Sequence, residues 1–312
     1  MSRAAEEAQR PQPREQVITL LIRLADLHQQ AAAADASADT SGDRWRGYHL
    51  IGAAAAVSHA VTEAQEPQPR EEVITLLTQA ADLHQQAAAA FATGNTERGE
   101  HLERAADALS CAADEAQRSQ PQEQAITWFT QAADLHQQAA AAFASGYIWR
   151  GENFRDAALA LSRAAEEAQR PQPREEAITR FTQVADLYQQ VADLLQQATV
   201  AYVKDNLTSY VYLCDAVSAL SRAAEEAQEP QPREQVITLL TQVADLSQQA
   251  ADAFARGDVE RGNHLSYAIS ALSDAAYEAR RPQPQQAIIN KCIREAQEDI
   301  ERANRSGWCP IS

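Results

Sequence analysis

A Pro-Gln-Pro head, followed by a run such as Arg70-Glu71-Glu72-Val73-Ile74-Thr75 and then Ala81-Asp82-Leu83-His84-Gln85-Gln86, begins at residues 11, 67, 119, 171, 230 and 282, with Ser119-Gln120-Pro121 as one variant. The intervals are 56, 52, 52, 59 and 52 residues, so the unit is 52 residues long and takes insertions of four and seven. A unit copied five times and begun a sixth constrains the fold more than composition does. Stacked copies extend one continuous core, because a single copy cannot cover its own apolar face. The predicted organisation is one repeat domain: a partial helix over 2–10, repeats over 11–66, 67–118, 119–170, 171–229 and 230–281, a capping half repeat over 282–305, and a tail over 306–312.

The period inside each unit is helical. In repeat 2, Val73, Leu77, Ala80, Ala81, Ala87, Ala88 and Phe91 fall on one stripe that Ile74, Leu76, Leu83 and Ala90 widen. An apolar arc this broad suits a helix touched on two sides. Helix A is expected over 70–92, with Pro69 at the first helical position and Glu71 and Glu72 facing the positive end of the dipole. Gly94 ends it, and helix B follows over 96–117 with Leu102, Ala105, Ala106, Leu109, Ala112 and Ala113 inward. Eleven of the twelve prolines sit in the heads, so nothing breaks the helices between them. The fold class is therefore all-α: an α-solenoid of five helical hairpins plus a terminal half repeat.

Eight of the ten glycines fall in Gly-x-x-x-Arg-Gly: Gly42/Gly47, Gly94/Gly99, Gly146/Gly151 and Gly257/Gly262. The second glycine lies in the first turn of helix B, where glycine costs up to about 1 kcal/mol against alanine. Its recurrence implies a backbone of a neighbouring hairpin passing close by; the rival is an anion site using Arg98 and the free N–H groups. Repeat 4 departs from the pattern. Ala185-Asp186-Leu187-Tyr188-Gln189-Gln190 is followed by Ala192-Asp193-Leu194-Leu195-Gln196-Gln197, a seven-residue duplication that keeps the apolar face within about 20°. In repeat 1 the insertion lies near 36–40. The last helix, expected over 285–304, trades the leucine stripe for charged residues, as an outer cap would.

Formal charge is −17, and lysine occurs only at Lys204 and Lys291. No basic stripe exists to displace counterions, so a nucleic-acid partner is not expected. The longest apolar run, 51–57, is too short to span a bilayer, so no membrane partner is expected either. Cys111, Cys214, Cys292 and Cys309 show no paired spacing, which favours a reducing, cytoplasmic setting. The acidic start lacks a secretory signal; delivery into a host cell by a signal-less route is the other localisation considered.

No Ser/His/Asp set, phosphate loop or Cys-His pair with recognisable context occurs, so no catalytic residue, cofactor or metal is expected, and the protein is read as non-enzymatic. His28, His84 and His136 recur at one position, where Tyr188 and Ser247 follow, and read as a column of half-buried polar groups. Asp26, Asp82, Asp134, Asp186 and Asp245 also recur, and each is expected to find an inter-repeat Arg or Gln. Helical hairpins joined by Ala-Phe-Ala-x-Gly-[Asn/Asp]-x-x-Arg-Gly, as at Phe91 to Gly99 and Phe254 to Gly262, resemble tetratricopeptide-type α-solenoids. That resemblance covers the turn between helices A and B, and implies a superhelix that binds peptides or partner helices in a concave face.

Positions that vary between copies carry the partner-binding expectation. Trp45 and Trp149 stand just before Arg46-Gly47 and Arg150-Gly151, with Tyr147 beside the second; Tyr202, Lys204, Tyr210 and Tyr212 crowd the repeat-4 tip. Aromatic and arginine groups at an exposed edge are interface anchors. The expected function is a scaffold binding a protein or peptide partner. The alternative is a self-assembling structural protein, dimer or filament subunit. It would associate through the charge-free stretch 48–62 of helix B in repeat 1: Tyr48, Leu50, Ile51, Val57 and Val61.

Overall fold

The computed structural model describes residues 3–8, 14–36 and 41–306, and those residues form helices joined by short turns, with no strand among them. The helices are α1 (Arg3–Ala8), α2 (Glu15–Ala36), α3 (Ser41–Gln65), α4 (Glu71–Ala92), α5 (Thr96–Ala116), α6 (Glu123–Ala144), α7 (Ile148–Ala168), α8 (Glu175–Val203), α9 (Leu207–Gln228), α10 (Glu234–Ala255), α11 (Val259–Ala279) and α12 (Gln286–Ser306). Even-numbered helices are the A helices and the odd ones from α3 onward the B helices. The architecture is an all-α helical-repeat solenoid. The first Pro-Gln-Pro head, residues 37–40 of the repeat-1 insertion, and residues 307–312 with Cys309 lie outside the described residues.

The chain divides into two compact units, Met1–Thr179 and Arg180–Ser312. In the first, each helix from α1 to α7 packs on the next; in the second, the helices from α9 to α12 do the same. Every helix from α2 to α7 contributes to the interior of the first unit; in α4 and α5, Val73, Leu77, Ala80, Leu102, Ala105 and Leu109 are all buried. Burying each leucine or valine contributes about 1.5–3 kcal/mol, and the alanines between them allow close helix approach. The seven-residue duplication lengthens one helix without a break: α8 has 29 residues where α4 has 22. The polar-looking α12 is amphipathic rather than uniformly polar, since Ile289, Ala296 and Ala303 are fully buried along one line of seven-residue spacing.

Gly94 terminates α4 with φ 76°, its N–H bonding Phe91 O at 3.0 Å while Asn95 N–H reaches back to Ala90 O at 2.9 Å. This is a six-to-one and five-to-two pair of closing bonds. Repeat 4 makes the same turn with Asp205 at φ 58°, a position a short polar side chain tolerates.

At the other end the prolines sit two places earlier than the sequence predicts. Arg70, extended at φ −91° and ψ 104°, is the N-cap of α4, and Pro69 precedes it. The reason is a carboxylate from the preceding helix. Glu63 Oε1 accepts the Arg70 N–H at 2.9 Å, so the donor at the cap is satisfied by a residue seven positions upstream. The same bond recurs from Gln122 N to Glu115, Arg174 N to Glu167, Arg233 N to Glu226 and Gln285 N to Glu278, at 2.9, 3.2, 3.3 and 3.0 Å. All five glutamates are buried. Where the cap is arginine, its guanidinium also grips the carboxylate: Arg70, Arg174 and Arg233 place Nε 2.9, 2.8 and 2.7 Å from Glu63, Glu167 and Glu226. Where the cap is glutamine, a helix-end arginine supplies the charge, Arg118 to Glu115 at 2.8 Å and Arg281 to Glu278 at 3.0 Å. The Arg70 and Arg233 guanidinium groups also reach the far end of their own hairpins, Arg70 Nη1 donating to Gln117 O at 2.9 Å and Arg233 Nη1 to Arg280 O at 2.6 Å. The Arg70 and Arg233 clasps thus tie the preceding B helix to both ends of the hairpin that follows it.

Candidate functional site

The solvent face of each A helix carries one polar stripe, and the stripe is written the same way in every repeat. Its threonine is Thr19, Thr75, Thr127, Thr179 and Thr238; its aspartate is Asp26, Asp82, Asp134, Asp186 and Asp245; its last glutamine is Gln30, Gln86, Gln138, Gln190 and Gln249. Every threonine and aspartate in that set is exposed. The solvent face of the B helices behaves in the opposite way. One exposed row reads Ala55, Asp107, Leu159, Ser218, Ser270, and the row a turn later reads His59, Cys111, Arg163, Arg222, Asp274. Core packing dictates neither set, because both point outward. Duplication alone would have left both equally alike.

Polar bonds link neighbouring A helices. Gln16 Nε2 donates to Glu71 at 3.1 Å, and Gln248 Nε2 to Gln197 Oε1 at 3.2 Å. The Arg23 guanidinium bonds Asp82 and also Gln85 Oε1, the latter at 2.9 Å. Asp82 therefore has the inter-repeat arginine that the sequence predicts. Asp26 is instead bonded within its own helix by Gln30 at 2.7 Å, and Asp134, Asp186 and Asp245 make no ion pair with described residues. Exposed though both residues are, the protein packed around them partly desolvates the Asp186 and Asp245 carboxyls and raises them above the usual aspartate range. In the second unit two hollows flank α10. One of about 600 Å³ lies against α12, with Thr238, Gln242 and Asp245 on its wall and Leu272, Ile293 and Ile300 within. The other, about 190 Å³, lies against α8 between Gln190, Asp193, Asp245 and Gln248.

The tips are built from rings. Phe91 lies over Gly99 of its own hairpin and is stacked at 4.8 Å and 5° on His49 of the preceding repeat. Phe143 repeats this with Gly151 and with His101 at 4.9 Å and 4°. Phe254 lies over Gly262, and Tyr212 stacks on it at 5.2 Å and 12°. The close neighbour of the recurring glycine is thus the phenylalanine ring of the same hairpin, not the backbone of another. Repeat 4 has Tyr202 and Tyr210 where repeats 2, 3 and 5 have Phe and Gly, and their rings sit tilted, 5.4 Å apart.

Of the predicted edge residues, Trp45 is half exposed and stacks on Phe91 at 5.8 Å, next to an exposed Arg46. Trp149 is 73% exposed, Tyr147 is half exposed, and the Arg150 guanidinium lies 5.1 Å over Phe154. Tyr202 and Lys204 are exposed, whereas Tyr210 and Tyr212 are partly covered. The predicted self-association set divides. Tyr48 and Ile51 stay exposed at 58% and 59%, but Leu50, Val57 and Val61 are buried. An absence of charge does not put all five on one face: Leu50, Val57 and Val61 share the inward stripe of α3, so these three are core and unavailable to a second copy.

His84 and His136 are buried, and each stacks on a B-helix histidine, His49 at 6.1 Å and His101 at 5.8 Å. His28, by contrast, is exposed. Burial is the main cause that holds His49 and His101 down at about 4 and His136 at about 3; His84 is lowered by burial too, against the pull of Asp107. Among the described residues no group of three or more His, Cys, Asp or Glu could hold a metal ion, and no helix is long and apolar enough to cross a membrane. The features that sequence reasoning missed are the A-face stripe and the buried glutamates. Both were visible as repeats, Thr-x₆-Asp along helix A and Glu-Ala-[Gln/Arg] ahead of each head.

No protein-family model matches this chain, and no curated protein matches it either.

Proposed function

We propose that the protein is a non-enzymatic helical-repeat scaffold, tetratricopeptide-like in its mode of use, that holds a protein partner along its A helices. The observation that carries this reading is the contrast between the two solvent faces. Exposed residues are free to drift unless something outside the chain touches them, and the A stripe has kept its Thr, Asp and Gln while the B rows have scattered. A partner lying across successive A helices meets the same polar groups at each step. The Trp45 and Trp149 tips supply additional anchoring rings at the turns between helices A and B.

The test is affinity capture from the source cell followed by cross-linking of the captured protein. Cross-links on the A helices, weakened by Gln79→Ala with Gln131→Ala, support this reading. Cross-links confined to the B helices, or binding that ignores those substitutions, overturn it. A second reading, self-association, is favoured by the exposed Tyr48 and Ile51 in 48–62, a stretch without charge, with the exposed Trp45 just ahead of it. Light scattering that finds only monomer at tens of micromolar removes it.

A further inference from the structure

The first repeat shows what the Asp–Gln pair of an A helix binds. Arg23 of α2 bonds Asp82 and Gln85 of α4 with one guanidinium nitrogen. The Asp-x-x-Gln pair that receives it returns as Asp134/Gln137 in α6 and Asp245/Gln248 in α10. The donor does not return. One repeat before Asp134 the corresponding residue is Gln79; before Asp245, where the duplicated segment brings Asp193 rather than Asp186 beside α10, it is Gln190, three places ahead of Asp193. Glutamine is shorter and uncharged, and at the second place the hollow of about 190 Å³ stands between Gln190, Asp193, Asp245 and Gln248. Asp193 and Asp245 line it together, two carboxylates on one cleft with no ion pair to any described residue. Gln248 uses Nε2 on Gln197, which leaves its Oε1 as an acceptor of the kind that Gln85 Oε1 provides for Arg23.

We infer that this hollow is a guanidinium site: it takes the arginine side chain of an extended, basic partner segment, in the way that Asp82 and Gln85 take Arg23. The Asp134/Gln137 pair is its counterpart in the first unit. Arginine is selected over lysine because a guanidinium is more weakly hydrated than an ammonium and, with one nitrogen shared between a carboxylate and an amide oxygen as Arg23 Nη2 is, keeps further N–H donors for the second carboxylate, Asp193. A net charge of −17 draws such a segment in. The upward shift of the Asp245 carboxyl by partial desolvation accords with a carboxylate that lacks its counter-charge. This inference rests on the proposed A-helix binding face and specifies the chemistry that the face recognises.

The experiment uses the full chain and fluorescent hexa-arginine and hexa-lysine peptides at physiological salt, read by anisotropy. The unaltered protein is expected to bind hexa-arginine about tenfold more tightly than hexa-lysine. Gln79→Arg with Gln190→Arg gives each open pair its own guanidinium, as in repeat 1, and is expected to erase that preference. A control with the same two added charges on the B helices, Ala55→Arg with Ser218→Arg, is expected to weaken both peptides alike and keep the preference. Arg23→Gln, which frees Asp82 and Gln85, is expected to raise the number of hexa-arginine molecules bound. Circular dichroism verifies that each variant is folded. Equal affinity for the two peptides, or a preference that survives the Gln79/Gln190 double variant, overturns the guanidinium site. A natural partner that still cross-links to the A helices in that event leaves the scaffold reading standing; cross-links confined to the B helices remove both.

Discussion

The Phe91 ring lies so close over Gly99 that a Cβ on that glycine would come within 2.5 Å of a ring carbon. His49 covers the other side of the ring, stacked at 4.8 Å. Phe91 therefore joins its own hairpin to the preceding repeat, and its position depends on a glycine eight residues further along the chain. Gly47 occupies the same place in the Gly-x-x-x-Arg-Gly motif of repeat 1, yet a Cβ there would come no nearer than 3.9 Å to the Ala34 Cβ, an ordinary contact.

Two glycines alike in sequence should thus respond oppositely to alanine. Gly99→Ala forces the Phe91 ring against His49 and should cost about 1–3 kcal/mol, as overpacking does. Gly47→Ala has room, removes a flexible helical glycine, and should stabilise by about 0.5–1 kcal/mol. Denaturant midpoints of the two variants check this; equal shifts in one direction would sink the ring-on-glycine account.

Periodicity made the repeat architecture legible, because helices need only a stripe and a stop. The expected range 70–92 meets the observed Glu71–Ala92, and 96–117 meets Thr96–Ala116. Contacts that depend on the third dimension were not legible. Glu63 reads as one more solvated acid until the chain turns at Pro67-Gln68-Pro69 and brings Arg70 back onto it. Leu50, Val57 and Val61 could not be told from Tyr48 and Ile51 by charge, since none carries any. The A-face stripe escaped because Thr, Gln and Asp on an outer face look like ordinary solvation in any one repeat; only their persistence beside a drifting B face marks them.

Glu226 is the most heavily bonded of the clasp residues, receiving Arg233 Nε at 2.7 Å, Arg233 Nη2 at 3.0 Å and Arg280 Nε at 3.1 Å. Glu226→Gln keeps the shape but removes the charge from a buried site. A loss of about 2 kcal/mol is expected, the range for hydrogen bonds to a charged group, moderated because both arginines are partly wet. Glu115→Gln, with Gln122 N–H and one arginine on it, should cost less. Chemical denaturation of both variants gives the order, and a larger loss at Glu115 would contradict it.

Trp45 and Trp149 share a position in the repeat but not an environment. Trp45 stacks on Phe91 at 5.8 Å and on His49 at 6.3 Å, so Trp45→Ala should cost about 1–2 kcal/mol. Trp149 is mostly exposed, and Trp149→Ala should leave stability within about 0.5 kcal/mol. Thermal unfolding followed by circular dichroism separates the two. A Trp149→Ala variant as unstable as Trp45→Ala would show that the outer ring is also part of the packing.

Acid should weaken the fold in two successive windows. The native state holds His49 and His101 neutral down to about 4 and His136 to about 3, while the unfolded chain protonates histidine near 6.5. Below 6.5 the unfolded chain binds the extra protons, so stability is full above that pH and declines as pH falls toward 4. The clasps act lower. The side-chain bond from Arg174 holds Glu167 at about 2 against 4.5 unfolded, so its contribution is present above 4.5 and is lost as pH falls from there to 2. Replacing the stacked pair, His101→Phe with His136→Phe, should therefore flatten the dependence of the unfolding midpoint between pH 6.5 and 5 while leaving the steeper fall below 4.5 in place. An unchanged slope in the upper window would show that the buried imidazoles are not what acid attacks first.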